Sequence, residues 1–257
     1  MHEILNKKGF ICDMDGVIYH GTRILDGVRE FVNWMIENDK KFVFLTNSPE
    51  RTPHELSMKL ERMGLTISAE HFYTSALATA EFLHSQAPGC TAYVLGEAAL
   101  SKALYDQQIY MNDVNPDYVV IGETRTYNFE KIEKAIELVN KGAKLIGANP
   151  DTIGVTERGI MPATGSLIAP IEIATGKKAY FVGKPNPLML RHGLKRIDCH
   201  SADIAFIGDR MDTDIIAGIE SNIDTVLVLT GVTAREDINN FPYRPKYVAE
   251  SIGALLK

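Results

Sequence analysis

Short apolar runs rich in β-branched residues alternate with amphipathic stretches along most of the chain. Val28, Phe31, Val32, Met35 and Ile36 recur at i, i+3, i+4, i+7 and i+8, which predicts a helix with one buried face. Residues 41–45 follow as a strand that runs out into Thr46-Asn47-Ser48-Pro49. A second helix is predicted over 52–63, closed by Gly64 as its C′ glycine. Toward the C-terminus, 203–207 reads as a strand, 212–221 as a helix and 225–229 as another strand. Strand-helix-strand repetition with near-continuous apolar strands implies a parallel sheet covered on both faces.

The middle of the chain repeats the pattern on its own. Residues 91–95, 117–121 and 144–146 read as strands, and 129–140 as a helix whose buried stripe is Ile132, Ala135, Ile136 and Val139. About a hundred residues of α/β pattern suffice for a small domain. The expected organisation is a core of residues 1–78 and 180–257, with an inserted α/β domain over 79–179.

Composition narrows the field of partners. The 257 residues are 45% hydrophobic and 23% charged, ordinary for a globular protein. A net charge of −6 gives no basic footprint for a nucleic-acid polymer or an anionic membrane. It is compatible with a phosphorylated small molecule, which needs only local positive potential. No stretch reaches membrane-spanning length and no secretory pattern opens the chain. Cys12, Cys90 and Cys199 are odd in number and scattered, which argues against a disulfide framework and for a reducing cytoplasm. A homodimer is compatible with the chain, but no residue pattern quantifies an interface.

The densest chemistry lies at Asp13-Met14-Asp15-Gly16-Val17, where the apolar run Gly9-Phe10-Ile11-Cys12 ends. Carboxylates two positions apart on an extended chain face the same side, and Gly16 allows a sharp turn. Burying two acids side by side is costly without a cation or a chemical task. The pair therefore reads as a metal-assisted nucleophile with an acid/base beside it. Three further segments also follow strands, where open parallel sheets bind their ligands. Thr46-Asn47-Ser48 offers a hydroxyl and turn amides suited to phosphate oxygens. Lys184 precedes a helix that Pro187 can start. Gly208-Asp209-Arg210-Met211-Asp212-Thr213-Asp214 carries acids from a strand end into a helix. Singly, Asp209 would be a cap, Thr46-Asn47 a turn and Lys184 a surface lysine. Their combination and order carry the inference.

Other chemistries lack their patterns. No cysteine is followed six positions later by arginine, those positions being Ile18, Gly96 and Ala205. Serine-hydrolase, P-loop and dinucleotide signatures are absent. Trp34 on its helix reads as core or helix surface. His20, just past the nucleophile loop, is a candidate for touching substrate.

The four segments, in this order, resemble the motifs of the haloacid dehalogenase superfamily of phosphatases. D-x-D-G-V/T matches Asp13 to Val17, the Thr/Ser motif Thr46-Asn47, the lysine motif Lys184, and G-D-x-x-x-T-D Gly208 to Asp214. Val114-Asn115-Pro116-Asp117, residues 122–128 and Asn149-Pro150-Asp151 look like cap segments of its NagD-like group. Ser48 stands where many relatives have a second asparagine; a backbone amide serves equally there.

The resemblance implies a Rossmann-like, doubly wound parallel-sheet core with an inserted α/β cap that closes over the core site. It implies Mg²⁺-dependent hydrolysis of small phosphate monoesters, nucleoside monophosphates or similar, through a phosphoaspartate. Asp13 would be the nucleophile and Asp15 the general acid/base. The Asp13 carboxylate, the Asp15 main-chain carbonyl and Asp209 would hold the metal, with Asp214 orienting groups from behind. Thr46, Asn47, Ser48 and Lys184 would bind the phosphoryl group. Asp212 falls on an unspecified motif position and reads as solvent-facing or capping. The Asn149–Asp151 turn and the 163–166 loop are candidate leaving-group contacts, ordinary turn chemistry being their alternative. A phosphotransferase or mutase would share the nucleophile, although the cap type favours hydrolysis. A non-catalytic phospholigand-binding protein could share the fold, although retention of every catalytic residue argues against it.

Overall fold

The run ahead of Asp13 forms the strand Gly9–Asp13, buried at every residue. The computed structural model describes residues 2–156 and 159–257. By packing, the chain divides into one unit of Met1–Thr46, Leu56–Tyr73 and Lys184–Lys257 and another of Asn47–Glu55 and Thr74–Gly183.

The first unit is built on a six-stranded sheet in the order Tyr247–Ala249, Asp224–Val228, Ile204–Gly208, Gly9–Asp13, Lys41–Thr46, Phe72–Thr74. Gly9–Asp13 pairs in parallel with Lys41–Thr46, Asp13 opposite Leu45, and with Ile204–Gly208, Cys12 opposite Ile207. The chain winds outward from Gly9–Asp13 to one edge and later resumes beside it toward the other. The α/β, doubly wound reading holds. That register sets Asp13, Thr46 and Gly208 at one carboxyl edge, beside the point where strand order reverses and such sheets place ligands.

Burial on both faces explains the continuous apolar strands: Ile204–Gly208 is buried throughout, and Lys41–Thr46 everywhere but its first residue. The helix Val28–Glu37 buries Val28, Phe31, Val32 and Met35. Ile36, expected on that face, is 53% exposed. At ~100° per residue it lies roughly a quarter-turn from the stripe's centre, which is too far round to pack. Phe10 meets Phe31 edge-on with ring centroids 5.4 Å apart and Trp34 at 5.9 Å. The helix Pro53–Arg62 starts where a reciprocal cap forms: Glu55 N donates to Thr52 Oγ1 (3.2 Å) and Thr52 N to Glu55 Oε2 (2.7 Å).

The second unit carries its own parallel sheet, ordered Tyr180–Phe181, Lys144–Gly147, Tyr118–Ile121, Thr91–Leu95, Tyr110–Met111. Asn128 caps the helix Phe129–Asn140 by accepting from Lys131 N at 3.1 Å. That helix buries Ala135, Leu138 and Val139, and these pack with Val119, Ile121 and Leu145 of the sheet. An antiparallel hairpin, Ile153–Thr156 with Gly159–Pro162, leads into the helix Thr164–Thr175.

Among the described residues no helix is long and apolar enough to cross a membrane, and all three cysteines are free. Phe10 is fully buried and touches the chain's single tryptophan. Phe10→Ala should destabilise the first unit by about 3–5 kcal/mol, read from denaturant unfolding followed by Trp34 fluorescence. A loss below about 1 kcal/mol would contradict the packing described.

Candidate active site

Asp13 ends its strand with only 7% of its surface exposed, and Lys184 is more deeply buried still, at 2%. Lys184 Nζ donates to Asp13 Oδ1 and, at 2.7 Å, to Asp214 Oδ1. Burial by itself works against the lysine's charge. The carboxylates of Asp13 and Asp214 outweigh it and hold the ammonium above its ordinary pKa. Burial pushes the Asp13 carboxyl up; Lys184 opposes that shift, while Asp214 and Asp209 reinforce it.

Asp209, directly after the strand Ile204–Gly208, is raised to about 7 by burial and then by the Asp214 charge. Its Oδ2 accepts from Val232 N at 2.7 Å. Its Oδ1 is buried and has no hydrogen-bond partner. Carboxylate oxygens of Asp13, Asp209 and Asp214 all lie within 4.8 Å of one another. Three carboxylates against one ammonium leave a surplus of negative charge in a dry site. An orphaned oxygen within such a cluster is what a hard divalent cation satisfies. Both Asp214 oxygens are already engaged, Oδ1 by Lys184 and Oδ2 by the N–H groups of Asp209 and Arg210 at 3.1 Å each. Asp13 and Asp209 are therefore the carboxylates that could hold a metal, while Asp214 fixes the lysine and the turn.

The expectation of two acids buried side by side needs correction. Asp13 is buried, but Asp15 is exposed. Alternation along a strand does not extend to Asp15, because the strand stops at Asp13. The Met14 carbonyl then accepts from the N–H groups of Val17, Ile18 and Tyr19, closing a tight turn. Gly16 sits in that turn at φ +84°, a conformation that favours glycine. The Tyr19 hydroxyl donates to Asp15 Oδ2 at 3.1 Å.

The segment after the strand Asp224–Val228 completes the surroundings. Thr230 Oγ1 donates to the Gly16 carbonyl at 2.6 Å, and His20 Nε2 shares a hydrogen bond with the Thr230 carbonyl. His20 thus joins two loops at the site's rim. A Cβ on Gly231 would overlap the Asp209 carboxylate, so close approach, not chain flexibility, requires glycine there. The predicted helix over 212–221 begins instead as a wide π-helical turn, Met211–Ile215. The Arg210 carbonyl accepts from both Asp214 N and Ile215 N there, at 3.1 Å each. Asp212 points away and pairs with the Arg210 guanidinium at 3.0 and 2.8 Å.

Thr46 is buried at the end of its strand. Asn47 and Ser48 pack with the second unit. The Asn47 main-chain carbonyl accepts from Asn149 Nδ2 at 2.8 Å and from Ser75 Oγ, and its side-chain Nδ2 donates to Asp151 Oδ2 at 3.0 Å. Sequence reasoning gave no role to Tyr19, Gly231 and Val232, and singled out Glu123 only as part of a cap-like segment. Only the Thr230-Gly231 pair, just past the strand Asp224–Val228, could have been found, as a fifth segment beyond a strand's carboxyl end.

Two family models match. One, described as haloacid dehalogenase-like hydrolase, covers residues 10–109; a second, HAD-hydrolase-like, covers 181–255. The chain is 45% identical over 246 residues to a dihydroxyacetone phosphatase of Corynebacterium glutamicum, spanning 96% of this chain and 90% of that protein. It is 41% identical over 248 residues to the ribonucleotide monophosphatase NagD of Escherichia coli, spanning 96% of this chain and 98% of that one. The solved structure of E. coli NagD superposes with a TM-score of 0.91 over 96% of this chain and 98% of that one, at 41% identity. A 4-nitrophenylphosphatase from Thermotoga maritima superposes with a TM-score of 0.94 at 33% identity, over 99% and 98% of the two chains. The chain belongs to the haloacid dehalogenase family, among its NagD-like phosphatases, and is a phosphoric monoester hydrolase.

Proposed function

We propose that this enzyme hydrolyses small phosphate monoesters with Mg²⁺ through a phosphoaspartate on Asp13. The observation that carries this reading is the buried Asp13 carboxylate, gripped by Lys184 and lying within the same acidic cluster as the orphaned Oδ1 of Asp209.

Lys184 holds Asp13 Oδ1 and so orients the carboxylate. The carboxylate attacks phosphorus, forming the Asp13 O–P bond as the bond to the leaving oxygen breaks. Splitting the reaction through a covalent intermediate divides a very high barrier. Asp15 supplies the proton to the leaving alkoxide, and its exposed position suits exchange with an alcohol and with water. In the second step Asp15 takes a proton from water, which attacks phosphorus and regenerates Asp13. The Lys184 ammonium and the Thr46 hydroxyl stabilise the charge on the transferring group. Asp13, the Asp15 carbonyl and Asp209 would hold Mg²⁺, which supplies Lewis-acid stabilisation and shields Asp13 from an anionic substrate.

The relatives named dihydroxyacetone phosphatase and ribonucleotide monophosphatase differ in the alcohol they release and share the phosphoryl group. That supports a small phosphorylated metabolite, of which a nucleoside monophosphate is one, as the substrate class. The second unit, residues 79–179 in its main part, is the proposed cap and source of leaving-group contacts. The proposed compartment is the reducing cytoplasm.

Asp13→Asn should lower phosphate release from a panel of nucleotides and sugar phosphates by at least about 10⁴-fold while leaving the fold intact by circular dichroism. Near-wild-type turnover would sink the nucleophile assignment. Gly231→Ala, by displacing the Asp209 carboxylate, should raise the Mg²⁺ concentration for half-activation about 10–100-fold. An unchanged Mg²⁺ requirement would remove Asp209 from the metal site.

A further inference from the structure

The carboxyl edge of the second unit's sheet holds a buried polar cluster to which the reaction above assigns no role. Glu123 lies two residues past the strand Tyr118–Ile121 and is 7% exposed; Asn149 lies two residues past Lys144–Gly147 and is fully buried. Asn149 Nδ2 donates to Glu123 Oε1 at 3.0 Å and Oε2 at 3.3 Å, and to the carbonyl of Asn47 at 2.8 Å. Asn149 Oδ1 accepts from Asp151 N at 3.0 Å. Both ends of this carboxamide are therefore used. The Asn47 amide closes the ring by donating to Asp151 Oδ2, and Thr164 N approaches Glu123 Oε1 at 3.4 Å.

Burying a carboxyl group against an amide is unfavourable unless the bonds it makes matter. Burial raises the Glu123 carboxyl to about 7; the Asn149 and Thr164 hydrogen bonds oppose that shift and the Asp151 carboxylate adds to it. Whether protonated or ionised, the Glu123 carboxyl group can accept a hydrogen bond from Asn149 Nδ2. The constant feature is an acceptor that fixes the face of the Asn149 amide. Asn149 in turn grips the carbonyl of Asn47, the residue joined to Thr46. That carbonyl belongs to the peptide whose N–H is Ser48's.

We infer that Glu123 and Asn149 are positioning residues for the turn Thr46-Asn47-Ser48, Glu123 orienting the Asn149 amide and Asn149 pinning the Asn47 carbonyl. The inference rests on the phosphatase reading, in which that turn holds phosphoryl oxygens. A cluster that only stabilised the second unit would alter its melting temperature and leave phosphate affinity untouched.

The test compares Glu123→Ala, Glu123→Gln, Asn149→Ala and the milder Ser75→Ala, which removes the second donor to the Asn47 carbonyl. KM for a phosphate monoester, kcat, the inhibition constant of inorganic phosphate and the melting temperature are measured for each. Glu123→Ala and Asn149→Ala should raise KM and the phosphate inhibition constant together, about 5- to 100-fold, the range for a buried polar group left unpaired. Glu123→Gln, which keeps an acceptor, should return both to within about threefold of wild type. Ser75→Ala should raise both in common by a smaller factor, and this holds the test open if an alanine at 123 or 149 does not fold. Lower melting temperatures with KM and phosphate inhibition unmoved would overturn the inference. A glutamine variant as impaired as the alanine one would overturn it as well. A wild-type protein that released no phosphate would instead fail the underlying reading.

Discussion

The Lys184 ammonium lies buried between the carboxylates of Asp13 and Asp214, and its surroundings are arranged around keeping that charge compensated. A buried cation without partners costs several kcal/mol after relaxation, and breaking a buried pair from one side costs about 3–5. Asp214 must therefore reach the lysine, and its other oxygen is held by two backbone N–H groups at the start of the π-helical turn. Gly208 has no room for a side chain because a Cβ there would overlap Asp214; Gly231 has none because of Asp209. The parallel sheet makes this feasible. It ends three neighbouring strands at one edge, so acids and a hydroxyl converge there from segments far apart in sequence.

Electrostatic surplus then gives the site its chemistry. One ammonium faces three clustered acidic groups, and Oδ1 of Asp209 among them is buried without a hydrogen-bond partner. A divalent cation would relieve the surplus and keep Asp13 ionised, as the proposed nucleophilic role requires. Uncompensated negative charge there would repel a phosphate dianion, and a cation held by the same acids would lessen that repulsion. The names of two relatives, dihydroxyacetone phosphatase and ribonucleotide monophosphatase, share the phosphoryl group and differ in the alcohol released.

Legibility in the sequence followed length and periodicity. The strands Gly9–Asp13, Lys41–Thr46 and Ile204–Gly208 are continuous apolar runs, and each ends in a chemically distinctive segment. The two-residue strands Tyr110–Met111 and Tyr180–Phe181 carry no period, and sheet pairing alone makes them strands. The helix Ser75–Gln86 is not legible because its apolar positions lack a strong face: Ser75, three alanines, Thr79 and Leu83 are buried around much of it. In the site, Asp13, Lys184 and Asp209 were readable because each follows a strand in motif order. The exposure of Asp15 was not, because the turn carbonyl of Met14 overrides strand alternation. Glu123 stands in a segment the sequence singles out, but its burial is not legible there, because its environment comes from Asn149 and Thr164, far along the chain.

Asp13, held by Lys184, is the proposed carrier of the phosphoryl group during turnover. Borohydride quenching of the enzyme during steady-state turnover reduces an aspartyl phosphate to homoserine, which peptide mass spectrometry assigns to a single position. The account predicts homoserine at Asp13 alone, dependent on both substrate and Mg²⁺. Robust phosphate release with Asp13 unmodified, or with conversion at Asp15 or Asp209, would contradict it.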